Sequence, residues 1–204
     1  MVKLLLGVPV GKLSLSQFWT ALIGYNVKAR LRTEIMVSNR VDVNRSYLIE
    51  MALKGGYDLL MIDSDVVIQS EIEQIKAYLD ADFKDKSIGM VVAPTVAQSG
   101  MVLTDMPENT KSETWLTRNA GLGFVCIRNE VMQKLPVISQ YNGLGSTINM
   151  RVVYATNTSE DIMLCHKLEE MNYKILVDSR IKVMHIQSEN LTYPESWNGH
   201  GFNK

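Results

Sequence analysis

The sequence predicts an α/β protein in three layers, helix, sheet and helix, with a mostly parallel central sheet. Three observations carry that expectation. The first half of the chain alternates short apolar runs with segments of helical periodicity. Runs such as "SIGMVVAPTV" (87–96) are apolar throughout, as strands buried on both faces are. The 204 residues, 46% hydrophobic and 21% charged, suit one large domain with ample core, and no repeat or linker divides them. The expected organisation is a single domain over 1–204, with a regular half at about 1–97, a less regular half at about 98–187 and a coil tail at 188–204.

The elements follow in order. Residues 2–8 read as the first strand. Ser14 and Gln17 form a capping-box pair, after which Leu15, Phe18, Trp19, Leu22 and Ile23 fall on one helical face. "KARLRTEIMV" (28–37) alternates as a second strand. Asp42 caps a helix to Lys54 with Tyr47, Leu48, Met51 and Ala52 on its inner side, and Gly55-Gly56 stops it. "YDLLMIDSDVVI" (57–68) is the third strand. Ser70 and Glu73 open a helix to about Leu79, and 87–96 is the fourth strand. Beyond it, 98–118 is polar and turn-rich, and "NAGLGFVCIRNEVMQKLP" gives a strand and a short helix ending at Pro136. Residues 139–159, rich in Gly, Ser, Thr and Asn, read as a mobile loop. Thr158 and Asp161 cap a helix to about Asn172, and "YKILVDSRIKVMHI" supplies one or two strands.

A net charge of −1 gives no support for binding nucleic acid or an anionic membrane. No apolar run reaches the roughly 18–20 residues of a membrane span. The opening "MVKLLLGVPVGK" is broken by Gly7 and Pro9 and reads as a strand rather than a leader. Cys126 and Cys165 lie apart in apolar segments, as reduced core thiols do, so a cytoplasmic setting is expected.

Asp63 and Asp65 carry the chemistry. Ligands of open α/β sheets collect beyond the carboxyl ends of strands, where these two aspartates sit. In an extended segment side chains two apart share a face, so both carboxylates reach one ion. A hard divalent cation, Mg²⁺ or Mn²⁺, prefers such oxygen ligands and relieves their repulsion. Asp161, near a helix N-terminus whose dipole favours an anion, suits a general base. It is equally the partner of Thr158 in a capping box.

"GGYDLLMIDSDVVI" resembles the D-x-D segment of GT-A-fold glycosyltransferases, in particular the family 2-like enzymes. The resemblance runs in order over most of the chain and implies the GT-A, Rossmann-like fold, with nucleotide binding in the first half and acceptor binding and catalysis in the second. It implies a donor that is a UDP- or GDP-linked sugar, a saccharide, protein or lipid-linked acceptor, and Mn²⁺ or Mg²⁺ on Asp63 and Asp65, with Ser64 beside the donor. The strand ending at Pro9-Val10 matches the first nucleotide-binding strand. "VDVNRSYLIEMAL" matches the helix before D-x-D; where the family often has Arg-Asn this chain has Asn44-Arg45, which puts a donor contact on Arg45. "AGLGFVCIRNEVMQKLP" resembles the strand whose glycines face donor sugar and acceptor, here Gly121, Leu122 and Gly123. "SEDIMLCHKLEEMNYKILVDSRIKVMH" resembles the Glu-Asp helix and the strand after it. That implies Glu160 near the acceptor, Asp161 as base and His185 as a third metal ligand. The aspartate points to inversion and the histidine to retention, so both outcomes stay open.

The remaining candidates are weaker. His185 shares a strand face with Ile181 and Val183 and also fits a core histidine; His166 reads as structural, and His200 carries no role. Trp115 and Trp197 read as plugs at the core edge. The 139–159 loop could close over a donor, and Arg30 and Arg32 could meet phosphate or decorate an exposed face. A haloacid-dehalogenase-type phosphohydrolase needs its aspartates after the first strand, where this chain has "GVPVGK". A nucleotidyltransferase of similar fold, or a non-catalytic domain binding sugars or nucleotides, are the other readings.

Overall fold

The computed structural model describes residues 2–10, 22, 31–95, 104, 112–143, 146–152, 158–187 and 190–192. The central sheet has seven strands: β1 (Leu4–Val10), β2 (Arg32–Val37), β3 (Asp58–Ile62), β5 (Ile88–Val92), β6 (Thr114–Thr117), β7 (Phe124–Ile127) and β10 (Lys174–Asp178). Their order is β2-β1-β3-β7-β5-β10-β6. β2, β1 and β3 pair in parallel, as do β5 and β10, while β7 runs antiparallel between β3 and β5, and β6 runs antiparallel along β10. The expected α/β class is therefore present, but the sheet is mixed: five of its seven strands run in one direction, and three of its six pairings are antiparallel. Two smaller sheets accompany it: β4 (Val66–Ile68) with β11 (Val183–Gln187) and β12 (Asn190–Thr192), and a hairpin of β8 (Ser139–Gly143) and β9 (Ser146–Met150).

Alternation along the strands builds the two outer layers. Leu5, Leu59, Met61, Val125 and Val177 face one side, against α1 (Val41–Gly55), α3 (Asn129–Lys134) and α4 (Glu160–Glu170). Leu4, Leu6, Val8, Leu60, Ile62 and Cys126 face the other, against α2 (Ile72–Asp82) and Leu22. Of the helix expected at 14–23, only Leu22 falls among the described residues, where it is helical and buried. Gly56 ends α1 at φ 64°, a left-handed conformation that glycine adopts without a Cβ clash, and its N–H donates back into the last turn. Cys126 and Cys165 are buried thiols, not joined in a disulfide, and Trp115 is buried in the core, as expected.

Several elements differ from expectation. The stretch 57–68 is not one strand. It breaks at Asp63, whose carbonyl accepts from Val66 N–H at 3.0 Å, and β4 leaves for another sheet. The inner stripe of α1 is Arg45, Leu48, Ile49 and Ala52, with Tyr47 and Met51 only partly buried. Asp42 lies inside the first turn and is paired with Arg40 at 2.6 Å, rather than capping the helix. Ser70 does not cap α2: its hydroxyl accepts from Lys182 N–H at 2.7 Å. The expected loop at 139–159 contains the β8–β9 hairpin, and α4 is capped by Ser159, not Thr158. The expected coil tail contributes β12.

A charged cluster ties the end of α2 to the turn after β10. Arg180 bridges Asp82 and Asp178, both at 2.8 Å, and lies over the Tyr78 ring at 4.5 Å. Removal from water and the adjacent Asp178 push Asp82 up to about 7, against the pull of Arg180. Folding therefore raises the pKa of this carboxyl. Its contribution to stability is complete below about pH 4, the unfolded value, and is lost as pH rises through about 7. Comparing thermal unfolding of the wild type and Asp82→Asn from pH 4 to 8 tests this. The wild type is expected to lose stability relative to the variant across that window; a constant difference contradicts the assignment.

Candidate functional site

The carboxyl ends of β1, β3 and β5 and the start of β7 lie at one edge of the sheet, which brings Val10, Asp63, Thr95 and Gly123 to the same region. Asp63 N–H donates to Gly123 O at 3.0 Å, fixing the D-x-D turn to the turn before β7. A Cβ at Gly123 would lie 3.1 Å from the Thr95 methyl, so a larger residue would push that buried side chain aside. Leu122 beside it is buried. Thr95 was not singled out from the sequence; its hydroxyl is buried without a hydrogen-bond partner among the described residues.

The first turns of α1 project a run of polar side chains into this edge. Asn44, fully buried, donates to Val10 O at 3.0 Å and Ser38 O at 3.3 Å, and accepts from the Ser38 hydroxyl at 2.6 Å. It thereby anchors the end of β1, where Pro9 and Val10 lie buried. Ser46 holds the chain leaving β9, accepting from Arg151 and Val152 N–H at 3.2 Å each. Arg151 pairs with Glu50 at 2.9 Å. These bonds pin 151–152 against α1, and 153–157 lie outside the described residues.

Arg45 is the centre of the site. Its side chain is 3% exposed. Nη2 donates to both Asp63 oxygens, at 3.0 and 3.2 Å, while Nη1 donates to Glu160 at 2.6 Å and to Asp161. Residues far apart in sequence, the first aspartate of D-x-D and the Glu-Asp pair at the start of α4, thus meet on one guanidinium. Burial works against the Arg45 charge, but Asp63, Asp161 and Glu160 outweigh it and hold its pKa above the ordinary arginine value. Removal from water raises the Asp63 carboxyl, Arg45 opposes this, and the charges of Asp65 and Asp161 add to the rise. The Arg45 Nε–H is buried with no partner among the described residues.

The structure therefore brings together Asp63, Arg45, Glu160 and Asp161, with Asp65 close enough to Asp63 to act on its charge. Asp63 and Asp65 do so from a turn, not from the extended segment expected, and Ser64 lies between them. His185 pairs with Val66 across β11 and β4, which sets its backbone beside the residue following Asp65; its side chain lies outside the described residues. His166 is exposed on α4, and Arg32 on β2 is paired with Glu34 at the surface. Arg30, Trp197 and His200 lie outside the described residues. No group of three metal-ligating side chains assembles among the described residues. The oxygen donors and the excess of carboxylates over the one guanidinium fit a hard divalent cation by charge and by ligand type.

The fold and site define an α/β protein with an acidic cluster at the carboxyl edge of a mixed sheet. The solved structure of A197 from STIV is similar to this chain over 96% of its length and 91% of that protein's, with a TM-score of 0.69 and 20% sequence identity, which shows a shared fold. A glycosyltransferase involved in the glycosylation of the major capsid of PBCV-1 aligns with 64% of this chain and 62% of its own, at a TM-score of 0.41 and 11% identity, a likeness too slight to argue from. No family model and no curated protein matches the sequence. No helix among the described residues is long and apolar enough to cross a membrane.

The anchoring role of Asn44 is open to measurement. Asn44→Ala leaves the Val10 carbonyl without its side-chain donor and is expected to cost about 1–3 kcal/mol in denaturant unfolding. A change within experimental error would remove Asn44 as the anchor of β1.

Proposed function

We propose that the protein is a glycosyltransferase that uses a divalent cation, Mn²⁺ or Mg²⁺, to move a sugar from a nucleoside-diphosphate donor to an acceptor hydroxyl. The observation that carries this reading is the convergence of Asp63, Glu160 and Asp161 on Arg45 at the carboxyl edge of the sheet. It brings the first aspartate of D-x-D, the candidate cation ligand, next to the candidate base, as transfer between a charged donor and a hydroxyl requires.

In this reading Asp63 and Asp65 hold the cation, with His185 as the third ligand. Pro9, Val10 and Ser64 border the nucleotide, and the UDP- or GDP-linked sugar lies toward Gly121, Leu122, Gly123 and Glu160. When bound, the cation neutralises charge developing on the departing diphosphate. Gly123 keeps the backbone beside Asp63 free of a side chain. Asp161 takes the proton from the acceptor hydroxyl, whose oxygen attacks the anomeric carbon opposite the leaving group and inverts its configuration. Glu160, buried on Arg45, orients the start of α4 and with it Asp161. Arg45 acts on the carboxylates instead of reaching the nucleotide, since its charge is already engaged in the buried interior. The acceptor is a saccharide, a protein or a lipid-linked glycan, and the setting is cytoplasmic.

Calorimetric titration of UDP and GDP, with and without Mn²⁺, on the wild type and Asp65→Ala tests the donor site. Binding of one nucleotide that needs both Mn²⁺ and Asp65 is the expected result; no metal-dependent binding of either nucleotide overturns the reading. Asp161→Asn is expected to keep nucleotide binding and to lower turnover on the order of 10²–10⁴-fold. Unchanged turnover would remove Asp161 as the base.

A further inference from the structure

Among the described residues, four carboxylates gather at this edge: Asp63, Glu160 and Asp161 on the Arg45 guanidinium, and Asp65 acting on Asp63. The Arg45 charge stands among them, reaching the D-x-D side through Asp63 and the α4 side through Glu160 and Asp161. Both oxygens of Asp63 already accept from Arg45 Nη2. A cation arriving at Asp63 and Asp65 therefore meets a carboxylate whose charge is partly neutralised, with a guanidinium 3.0 Å from its oxygen. Like charges a few ångströms apart repel in a partly buried setting, so this neighbour works against cation affinity. The guanidinium is held by three acids from two separate parts of the chain, on a buried helix face that continues into Leu48, Ile49 and Ala52.

We propose that Arg45 is a resident cation of the site. It joins the D-x-D turn to the Glu160-Asp161 turn, and it holds the affinity for a free divalent cation low, so that the metal loads together with the anionic diphosphate that offsets the guanidinium charge. Arg45 is thus a positioning residue that acts through Asp63 and Asp161 and makes metal binding depend on the donor. The inference deepens the proposed function, since it takes Asp63 and Asp65 as cation ligands. Its physical content, the competition between a fixed and an exchangeable cation, is measurable without turnover.

The test is Mn²⁺ binding, followed by electron paramagnetic resonance or calorimetry, on the wild type, Arg45→Met and Arg45→Lys, each checked for folding by circular dichroism and each titrated alone and with UDP or GDP. Removing the charge while keeping an apolar stem of similar length is expected to tighten nucleotide-free Mn²⁺ binding by about tenfold or more. It is also expected to shrink the gain in Mn²⁺ affinity that the nucleotide brings. Arg45→Lys, which keeps the charge, is expected to stay within about threefold of the wild type. A purely structural prop predicts the opposite sign, with weaker Mn²⁺ binding in both variants, and that result overturns the inference. Should Arg45→Met fail to fold, Arg45→Met/Glu160→Gln compared with Glu160→Gln carries the same test with one charge of each sign removed.

The resident cation and the transferase reading fail separately. Metal-dependent nucleotide binding in the wild type with no Mn²⁺ gain in Arg45→Met overturns the resident cation and leaves the transferase reading standing. A Mn²⁺ gain in Arg45→Met with no nucleotide bound by any of the proteins overturns the transferase reading and the donor dependence of the metal, and supports Arg45 as the resident cation that lowers metal affinity.

Discussion

A buried arginine has to be met by carboxylates, and much of the site follows from that constraint. Arg45 sits on the inner stripe of α1 at a spacing that aligns it with Leu48, Ile49 and Ala52, so folding the helix onto the sheet drives its guanidinium out of water. Leaving such a charge unpaired costs about 3–5 kcal/mol. The acids that answer it come from the end of β3 and the start of α4, elements separated by about half the chain. Forming the ion-paired cluster therefore requires the sheet, α1 and α4 to be in register. The polar residues flanking Arg45 serve the same joint, Asn44 through the end of β1 and Ser46 through the chain leaving β9.

Sheet topology explains why the acids collect where they do. Parallel strands place their carboxyl ends together, and β7, running the other way between β3 and β5, delivers the Gly121–Gly123 turn to the same edge. The D-x-D residues leave the sheet at a turn because β4 is recruited by β11, which sets the backbone of His185 beside them. A short strand pairing away from the main sheet thus helps set the position of the D-x-D turn. Among the described residues the acids at this edge outnumber the guanidinium they meet on, a charge balance that attracts cations more than free anions.

Much of this was legible in the sequence where one signal dominated. β1, β5 and β7 are apolar runs with little competing pattern, and Gly55-Gly56 marked the end of α1 as it should. Asp63, Asp65, Glu160 and Asp161 were visible as candidates, but their meeting on Arg45 was not, because contact between distant segments leaves no local trace. A signal was nevertheless present, since an arginine at i with apolar residues at i+3, i+4 and i+7 is on a stripe that buries it. The stripe was placed instead on Tyr47, Leu48, Met51 and Ala52, one position round the helix. The β8–β9 hairpin was hidden by its Gly, Ser and Asn content, although the buried Ile148 and Met150 alternate as a strand does. β6, four residues in a polar stretch, is too short to announce itself and is held by its pairing with β10. Thr95 had no motif around it; only the burial of its hydroxyl makes it notable.

The central claim is that a fixed guanidinium and an exchangeable cation share one cluster of acids. Anomalous diffraction at the manganese edge, from crystals grown with Mn²⁺ and UDP or GDP, addresses it most directly. The account predicts a manganese peak bridging Asp63 and Asp65 and the diphosphate, with Arg45 still on Asp63, Glu160 and Asp161. A peak seated among Glu160, Asp161 and Asp63 in place of a displaced Arg45, or no peak at this edge of the sheet, would contradict it.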